Sequence, residues 1–110
     1  MVGNESAMEI SEQEFEETIN NSYKLVVVDF FAEWCMPCLM LSPVIEEFAD
    51  RMKDVKFVKI NIDENESLAE KYKVSSVPTL VIFKEGSEID RINGNILGEE
   101  IEKKINEHLD

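Results

Sequence analysis

The chain has 110 residues, 44% of them hydrophobic, with 4 Gly and 3 Pro, which predicts one compact globular domain and excludes collagen-like, disordered and multidomain chains. No apolar run reaches the roughly 18 residues that cross a bilayer, and residues 1–10 lack the basic and apolar segments of a secretion signal, so we expect a cytoplasmic protein that binds no membrane. The formal net charge of -13 repels phosphate backbones and disfavours nucleic acid as a partner.

The N-terminal end of the chain is polar and is followed by a helical pattern. We expect residues 1–7 to form a flexible tail and residues 8–110 to form the single domain. A serine and a glutamate at capping-box spacing predict a helix over residues 11–21. Its expected apolar face consists of Phe15, Ile19 and Tyr23.

A strand, a helix and a second strand are predicted next. Leu25–Phe31 is a continuous apolar run rich in β-branched residues, which is typical of a strand covered on both faces of an α/β sheet. Apolar residues at helical spacing follow over residues 41–52, and Pro43 should kink that helix. Val55–Ile62 reads as another strand. Together these elements predict a right-handed βαβ unit.

The second half of the chain predicts two helices around a hairpin. A short acidic helix is expected over residues 66–72, a strand over residues 80–83 and turn chemistry over residues 84–87. Residues 88–93 form the return strand, and the last helix covers residues 99–109. The predicted order is βαβαβαββα, with a mixed sheet between two layers of helices.

The chain has 2 Cys, and they are Cys35 and Cys38, separated by two residues. Without a secretion signal, this spacing indicates redox or metal chemistry. A purely structural disulfide is disfavoured because so short a loop constrains the unfolded chain by only about 2 kcal/mol. A zinc site is disfavoured because it needs about four ligands and the other soft candidate, His108, lies near the C-terminal end. We therefore expect no metal.

The segment around the cysteines turns from a strand into a helix. We expect Cys35 at the helix N-terminus, where unpaired N–H groups and the helix dipole favour a thiolate. Cys38 follows one turn later on the same face and is expected to be less exposed, while Pro37 suits the first turn. This arrangement predicts that Cys35 attacks a disulfide and that Cys38 then resolves the mixed disulfide.

The second step needs a base near Cys38, and Asp29 within the apolar strand is the candidate. Burial there would raise the pKa of its carboxyl and suit it to proton transfer near neutral pH. The alternative is a carboxylate at the strand margin that simply reaches water. Both interpretations stay open on the sequence.

Several segments together carry a family resemblance. They are Val28–Cys38 (VDFFAEWCMPC), Pro43, Lys59–Asp63 (KINID), Val77–Leu80 (VPTL), Phe83–Gly86 (FKEG) and Gly94. From about Met8 to Leu109 the chain resembles the thioredoxin family. The resemblance implies the thioredoxin fold, a three-layer α/β/α sandwich with a central mixed five-stranded sheet.

The resemblance also implies roles for individual residues. Asp29 matches the proton-relay aspartate, Lys59 the lysine beside it, and Pro78 a cis-proline that faces the disulfide. The backbone of Val77 should pair with an extended substrate strand. The implied docking groove is lined by Trp34, Met36, Pro37, Ile62, Pro78 and Gly94.

By the same resemblance, the expected activity is reduction of protein disulfides by a monomer that binds no cofactor. Its redox-active disulfide would receive reducing equivalents from NADPH through a flavoprotein similar to thioredoxin reductase. Two departures stand beside the cysteines: Met36 replaces the usual glycine, and Leu39 replaces a common lysine. The absent lysine removes one influence that favours the Cys35 thiolate.

Plainer interpretations remain for the site and for the activity. Trp34, Ile62 and Val77 could be ordinary apolar contacts, and Lys59 alternates with apolar residues like a solvent-facing side chain. The same fold could serve as a disulfide isomerase or oxidant, which a more oxidising potential would indicate. A non-catalytic binding module is disfavoured because both cysteines are present.

Overall fold

The structure of the protein, a computed structural model, describes residues 7–109. Five strands and four helices occur there in the predicted order βαβαβαββα. Their bounds are β1 Met8–Glu9, α1 Glu12–Asn20, β2 Leu25–Phe31, α2 Met36–Arg51, β3 Val55–Asn61, α3 Glu66–Lys71, β4 Thr79–Lys84, β5 Ser87–Asn93 and α4 Gly98–His108. The interior Pro43 does not end α2.

The strands form one mixed sheet in the order β1-β3-β2-β4-β5. Strand β3 is parallel to both β1 and β2, and the β2·β4 and β4·β5 pairs are antiparallel. β2 therefore lies at the centre, where both of its faces are covered, as its continuous apolar sequence predicts. In this register Asp29 is opposite Lys59 on one side and Leu80 on the other.

Helices cover both faces of the sheet and divide the core in two. On one face α2 and α4 pack against alternate residues of β2, including Leu25 and Val27. On the other face α1 and α3 pack against Val26, Val28 and Phe30. Because neighbouring strand residues point to opposite faces, Asp29 lies on the α2 side. The predicted three-layer α/β/α thioredoxin fold is confirmed.

The N-terminal part of the domain differs from two sequence expectations. Ala7, the last residue of the predicted tail, is fully buried and donates its N–H to Glu46 Oε1 at 3.1 Å; the rest of that tail, residues 1–6, lies outside the described residues. The prediction that Tyr23 shares the apolar face of α1 is wrong. α1 ends at Asn20, so Tyr23 lies beyond the helix and cannot belong to its apolar face. Tyr23 is 97% exposed.

The β4–β5 hairpin closes through two residues with positive φ. Glu85 has φ 51° and Gly86 has φ 87°, and Lys84 pairs with Ser87 across the turn. This combination matches a type I′ turn, whose twist suits a two-residue hairpin. Glycine adopts that conformation freely, whereas glutamate is strained in it.

No helix in the described part of the chain has both the length and the apolar character needed to span a membrane.

Candidate active site

The junction between β2 and α2 carries the two cysteines. Cys35 and Cys38 form a disulfide with a Cα–Cα distance of 5.3 Å. Cys35 is the N-cap of α2, and its Sγ accepts a hydrogen bond from the Cys38 N–H at 3.1 Å. Pro37 occupies the first turn, where a missing N–H costs nothing. The N–H group aimed at Cys35 Sγ would stabilise negative charge on that sulfur after reduction.

The disulfide sits in a small apolar cluster. Cys35, Cys38 and Ala32 are its buried members, and Phe31, Ile62 and Val77 pack against it. Each cysteine is 4% exposed, so the prediction that Cys38 is less exposed than Cys35 is wrong for this disulfide-bonded form. The disulfide bond holds the Cys35 side chain against α2, so the same apolar cluster covers both cysteines.

Asp29 is buried on the face of β2 that α2 covers. It is 2% exposed, and its Oδ1 has no hydrogen-bond partner among residues 7–109. Burial raises the pKa of the carboxyl from 3.8 to about 7, and the positive charge of Lys59 opposes that rise. The interpretation of Asp29 as a water-facing carboxylate at the strand margin is therefore wrong. Near neutral pH this group exists both as acid and as carboxylate, which suits proton transfer.

Lys59 occupies the position opposite Asp29 on β3. Its side chain is only 14% exposed, and its Nζ lies 3.3 Å from Glu46 Oε2 on α2. The interpretation of Lys59 as an ordinary solvent-facing side chain is therefore wrong. A buried ammonium needs a nearby carboxylate, and Glu46 supplies one that the sequence interpretation did not include in the site.

Trp34, next to Cys35, is held by a residue that follows β3. Its indole Nε1 donates a hydrogen bond to Asp63 Oδ2 at 2.8 Å, although the residue is 70% exposed. Asp63 Oδ2 thus fixes the orientation of a large ring beside the disulfide. The sequence interpretation used Asp63 only as the end of the KINID motif and missed this contact.

A cavity of about 690 Å³ opens between the start of α2 and the loops before β4 and after β5. The Val77–Pro78 peptide bond at its wall is cis, as the family resemblance implies. Three of the predicted groove residues, Pro37, Pro78 and Gly94, line it together with Val77, the predicted backbone partner of the substrate. The cavity also has apolar walls that the sequence interpretation missed, formed by Met40, Leu41, Val44, Ile96 and Leu97.

The other predicted groove residues, which are Trp34, Met36 and Ile62, do not line this cavity. Met36 is 64% exposed beside the disulfide, and Ile62 packs against the cysteine cluster. Ile62 also lines a separate surface pocket with Asp63 and Val74. Apolar side chains thus border the disulfide on several sides.

No cluster of three or more His, Cys, Asp or Glu side chains in the described part of the chain has the arrangement of a metal site. His108, the other soft candidate, contacts Asp90 Oδ2 through Nε2 at 3.0 Å.

Comparisons with known proteins agree with this geometry. The family model named Thioredoxin matches residues 6–107. The thioredoxin of Chlamydia pneumoniae is 48% identical over 99 residues, covering 90% of this chain and 95% of that protein. A mutant thioredoxin from Halobacterium salinarum has a similar structure, with a TM-score of 0.87 and 30% identity over 100% of this chain and 97% of that one.

A second similar structure comes from work on thiol resolution in yeast mitochondrial 1-Cys peroxiredoxin via the glutathione and thioredoxin systems. It has a TM-score of 0.85 and 32% identity, covering 93% of this chain and 95% of that one.

Proposed function

The chain belongs to the thioredoxin family and is a protein-disulfide reductase, and on this basis we propose that Cys35 is its attacking thiol and Cys38 its resolving thiol. The observation that carries this assignment is the N-cap position of Cys35, whose Sγ accepts the Cys38 N–H at 3.1 Å. That contact, together with the helix dipole, favours negative charge on Cys35 rather than on Cys38.

In the first step, the Cys35 thiolate attacks one sulfur of a substrate disulfide. A Cys35–substrate disulfide forms while the substrate S–S bond breaks. The other substrate sulfur leaves as a thiolate and takes a proton from solvent. The enzyme and its substrate are then joined covalently.

In the second step, Cys38 transfers its proton to the Asp29 carboxylate and attacks the Cys35 sulfur. The Cys35–Cys38 disulfide forms, and the second substrate sulfur leaves as a thiolate that is protonated in turn. Two electrons have passed from the dithiol to the substrate. The burial of Asp29 supports this role, because burial raises the pKa of its carboxyl to about 7 and lets it accept and release a proton near neutral pH. Lys59 tunes this group as the neighbouring positive charge.

Substrate docking is assigned to the apolar surface beside the disulfide. An extended segment of the substrate pairs with the backbone of Val77. Its side chains lie against the groove residues Trp34, Met36, Pro37, Ile62, Pro78 and Gly94. The 690 Å³ cavity, which Pro37, Pro78 and Gly94 line together with Val77, supports this placement.

The oxidised enzyme is recharged by NADPH through a flavoprotein similar to thioredoxin reductase, and it binds no cofactor itself. Its substrates are proteins with disulfides, and the similarity to a structure from a peroxiredoxin and thioredoxin system supports that substrate class. We further propose that residues 8–110 act as one monomeric, cytoplasmic domain.

The redox poise of the Cys35–Cys38 pair tests the direction of the reaction. We expect the pair, equilibrated against a series of reduced and oxidised glutathione, to be more reducing than glutathione. A potential equal to or more oxidising than that of glutathione would indicate an isomerase or oxidant.

Trapping tests the assignment of the two thiols. A Cys38→Ser variant should retain substrate proteins in mixed disulfides through Cys35, whereas Cys35→Ser should retain none. If Cys35→Ser left every cellular role intact, the protein would be a binding module and the proposal would be wrong.

A further inference from the structure

The interface between the sheet and α2 contains three charged side chains, Asp29, Lys59 and Glu46. Asp29 on β2 is opposite Lys59 on β3. The Lys59 Nζ lies 3.3 Å from Glu46 Oε2, and the two side chains are only 14% and 25% exposed. The other carboxylate oxygen of Glu46 accepts the Ala7 N–H at 3.1 Å. The lysine beside Asp29 is thus held by a carboxylate on α2, which is itself tied to the residue that precedes β1.

We propose that Glu46 is a positioning residue of the reductase, because its carboxylate holds the Lys59 ammonium and thereby sets how strongly that charge acts on Asp29. The inference rests on the proposed role of Asp29 in the second step. Glu46 touches neither substrate nor the reacting sulfurs and acts only through the lysine.

The sign of the effect follows from the charges. The Glu46 carboxylate beside the Lys59 ammonium compensates part of its positive charge. Less of that charge therefore acts on Asp29. Replacing Glu46 by glutamine leaves the Lys59 charge uncompensated by that carboxylate, so more of this charge acts on Asp29. This change favours the carboxylate form of Asp29.

Lys59 is the charged group that acts on the Asp29 carboxyl, and the strand and helix residues around them on this face are apolar. On the same face, β4 places the apolar Leu80 opposite Asp29, and α4 contributes the apolar Ile101 and Ile105 to the core. The other charged residues of α2, Glu47, Asp50 and Arg51, are exposed, and the two cysteines at its start do not titrate while they are disulfide-bonded.

For the reaction, Glu46 maintains a balance between the ionisation of Asp29 and its strength as a base. Asp29 must be a carboxylate to accept the proton of Cys38, but it must also bind that proton well enough to remove it. A carboxylate stabilised by a freed Lys59 is a weaker base, so the resolving step would lose driving force at neutral pH.

Titration of Asp29 in the intact oxidised protein tests the inference directly. The probe is the ¹³C chemical shift of the Asp29 carboxyl, followed from acidic to alkaline pH. The native protein should show an inflection near pH 7. Glu46→Gln should move the inflection down by about one pH unit, the lower end of the range for a nearby opposite charge. Glu47→Gln is the matched control, since Glu47 is an exposed neighbour on α2, and it should leave the inflection unchanged.

Lys59→Met separates an effect through the lysine from a direct one. This variant alone should raise the inflection because it removes the positive charge, and this result stands whether or not Glu46→Gln folds. In the Lys59→Met background, adding Glu46→Gln should shift the inflection by less than half the amount seen with the lysine present.

Three results would overturn the inference: an unchanged or higher inflection in Glu46→Gln, an unchanged inflection in Lys59→Met, or a full shift in the double variant. The oxidised protein is not turning over during these titrations. If Asp29 plays no part in turnover, Asp29→Asn will resolve mixed disulfides at the native rate, and that failure is distinct from a failure of the linkage to Glu46.

Discussion

Replacing Asp29 by asparagine should stabilise the protein at neutral and alkaline pH while slowing its reaction. The carboxyl group is 2% exposed, and burial raises its pKa from 3.8 to about 7. Below pH 3.8 the group is neutral in both the folded and the unfolded chain. As the pH rises from 3.8 to about 7, the unfolded chain has lost the proton that the folded chain still binds. The free energy of unfolding therefore falls across this window.

The size of the effect follows from the two pKa values. At 1.36 kcal/mol for each pH unit, the difference between 3.8 and about 7 corresponds to about 4 kcal/mol. Asparagine has nearly the same shape but does not ionise. The stability advantage of Asp29→Asn is the pH-dependent part of its gain in free energy of unfolding over the native protein. This advantage should therefore be near zero at pH 4 and grow to about 4 kcal/mol at pH 8.

Urea unfolding of the oxidised protein at pH values from 4 to 8 measures this advantage. Asp54→Asn is a suitable control, because Asp54 lies exposed in the turn before β3 and should show no such pH dependence. In parallel, Asp29→Asn should resolve mixed disulfides more slowly at pH 7, since Cys38 would then lack its proposed proton acceptor. An advantage that stayed constant from pH 4 to 8 would refute the assignment of a buried, titrating Asp29.

Three further substitutions test other features of the structure. Glu85→Asn should raise the free energy of unfolding by about 1 kcal/mol and the Tm by about 4 °C, because asparagine tolerates positive φ in a type I′ turn; a thermal scan without a rise would contradict the turn assignment. Asp63→Ala removes the acceptor of the Trp34 indole, and the loss of about 1 kcal/mol should raise KM for a protein disulfide about fivefold. A small aromatic disulfide serves as the control substrate, and an equal loss for both substrates would show that Trp34 orientation does not act in docking. Leu39→Lys places a cation near Cys35 and should lower the pKa of the Cys35 thiol, read from thiolate absorbance; an equal or higher pKa would contradict this.

Most of the secondary structure was accessible from sequence because its signals are local. The run Leu25–Phe31 coincides with β2, since only a central strand can bury so many consecutive apolar residues. The exception is β1: the predicted order begins with a strand, but no sequence pattern assigns residues to it, and its Met8 is 65% exposed. Its two residues join the sheet through backbone pairing with β3, so no hydrophobic pattern marks it.

The candidate site likewise contains features that local sequence signals predict and contacts that they do not. The placement of Cys35 at the helix start follows from a strand-to-helix turn with Pro37 behind it, and both are local features. The contact between Trp34 and Asp63 joins residues 29 positions apart, and the pair of Lys59 and Glu46 joins β3 to α2. Such contacts depend on how elements pack, and the charge of each residue alone indicates only an exposed surface.

Cys35, at the N-terminus of α2, is the proposed attacking thiol. Brief alkylation of the fully reduced protein at pH 7 with iodoacetamide, followed by mass spectrometric mapping, compares its reactivity directly with that of Cys38. We expect rapid modification of Cys35, with a rate that follows its thiolate fraction, and slow modification of Cys38. Faster modification of Cys38 than of Cys35 would show that Cys35 is not the attacking thiol.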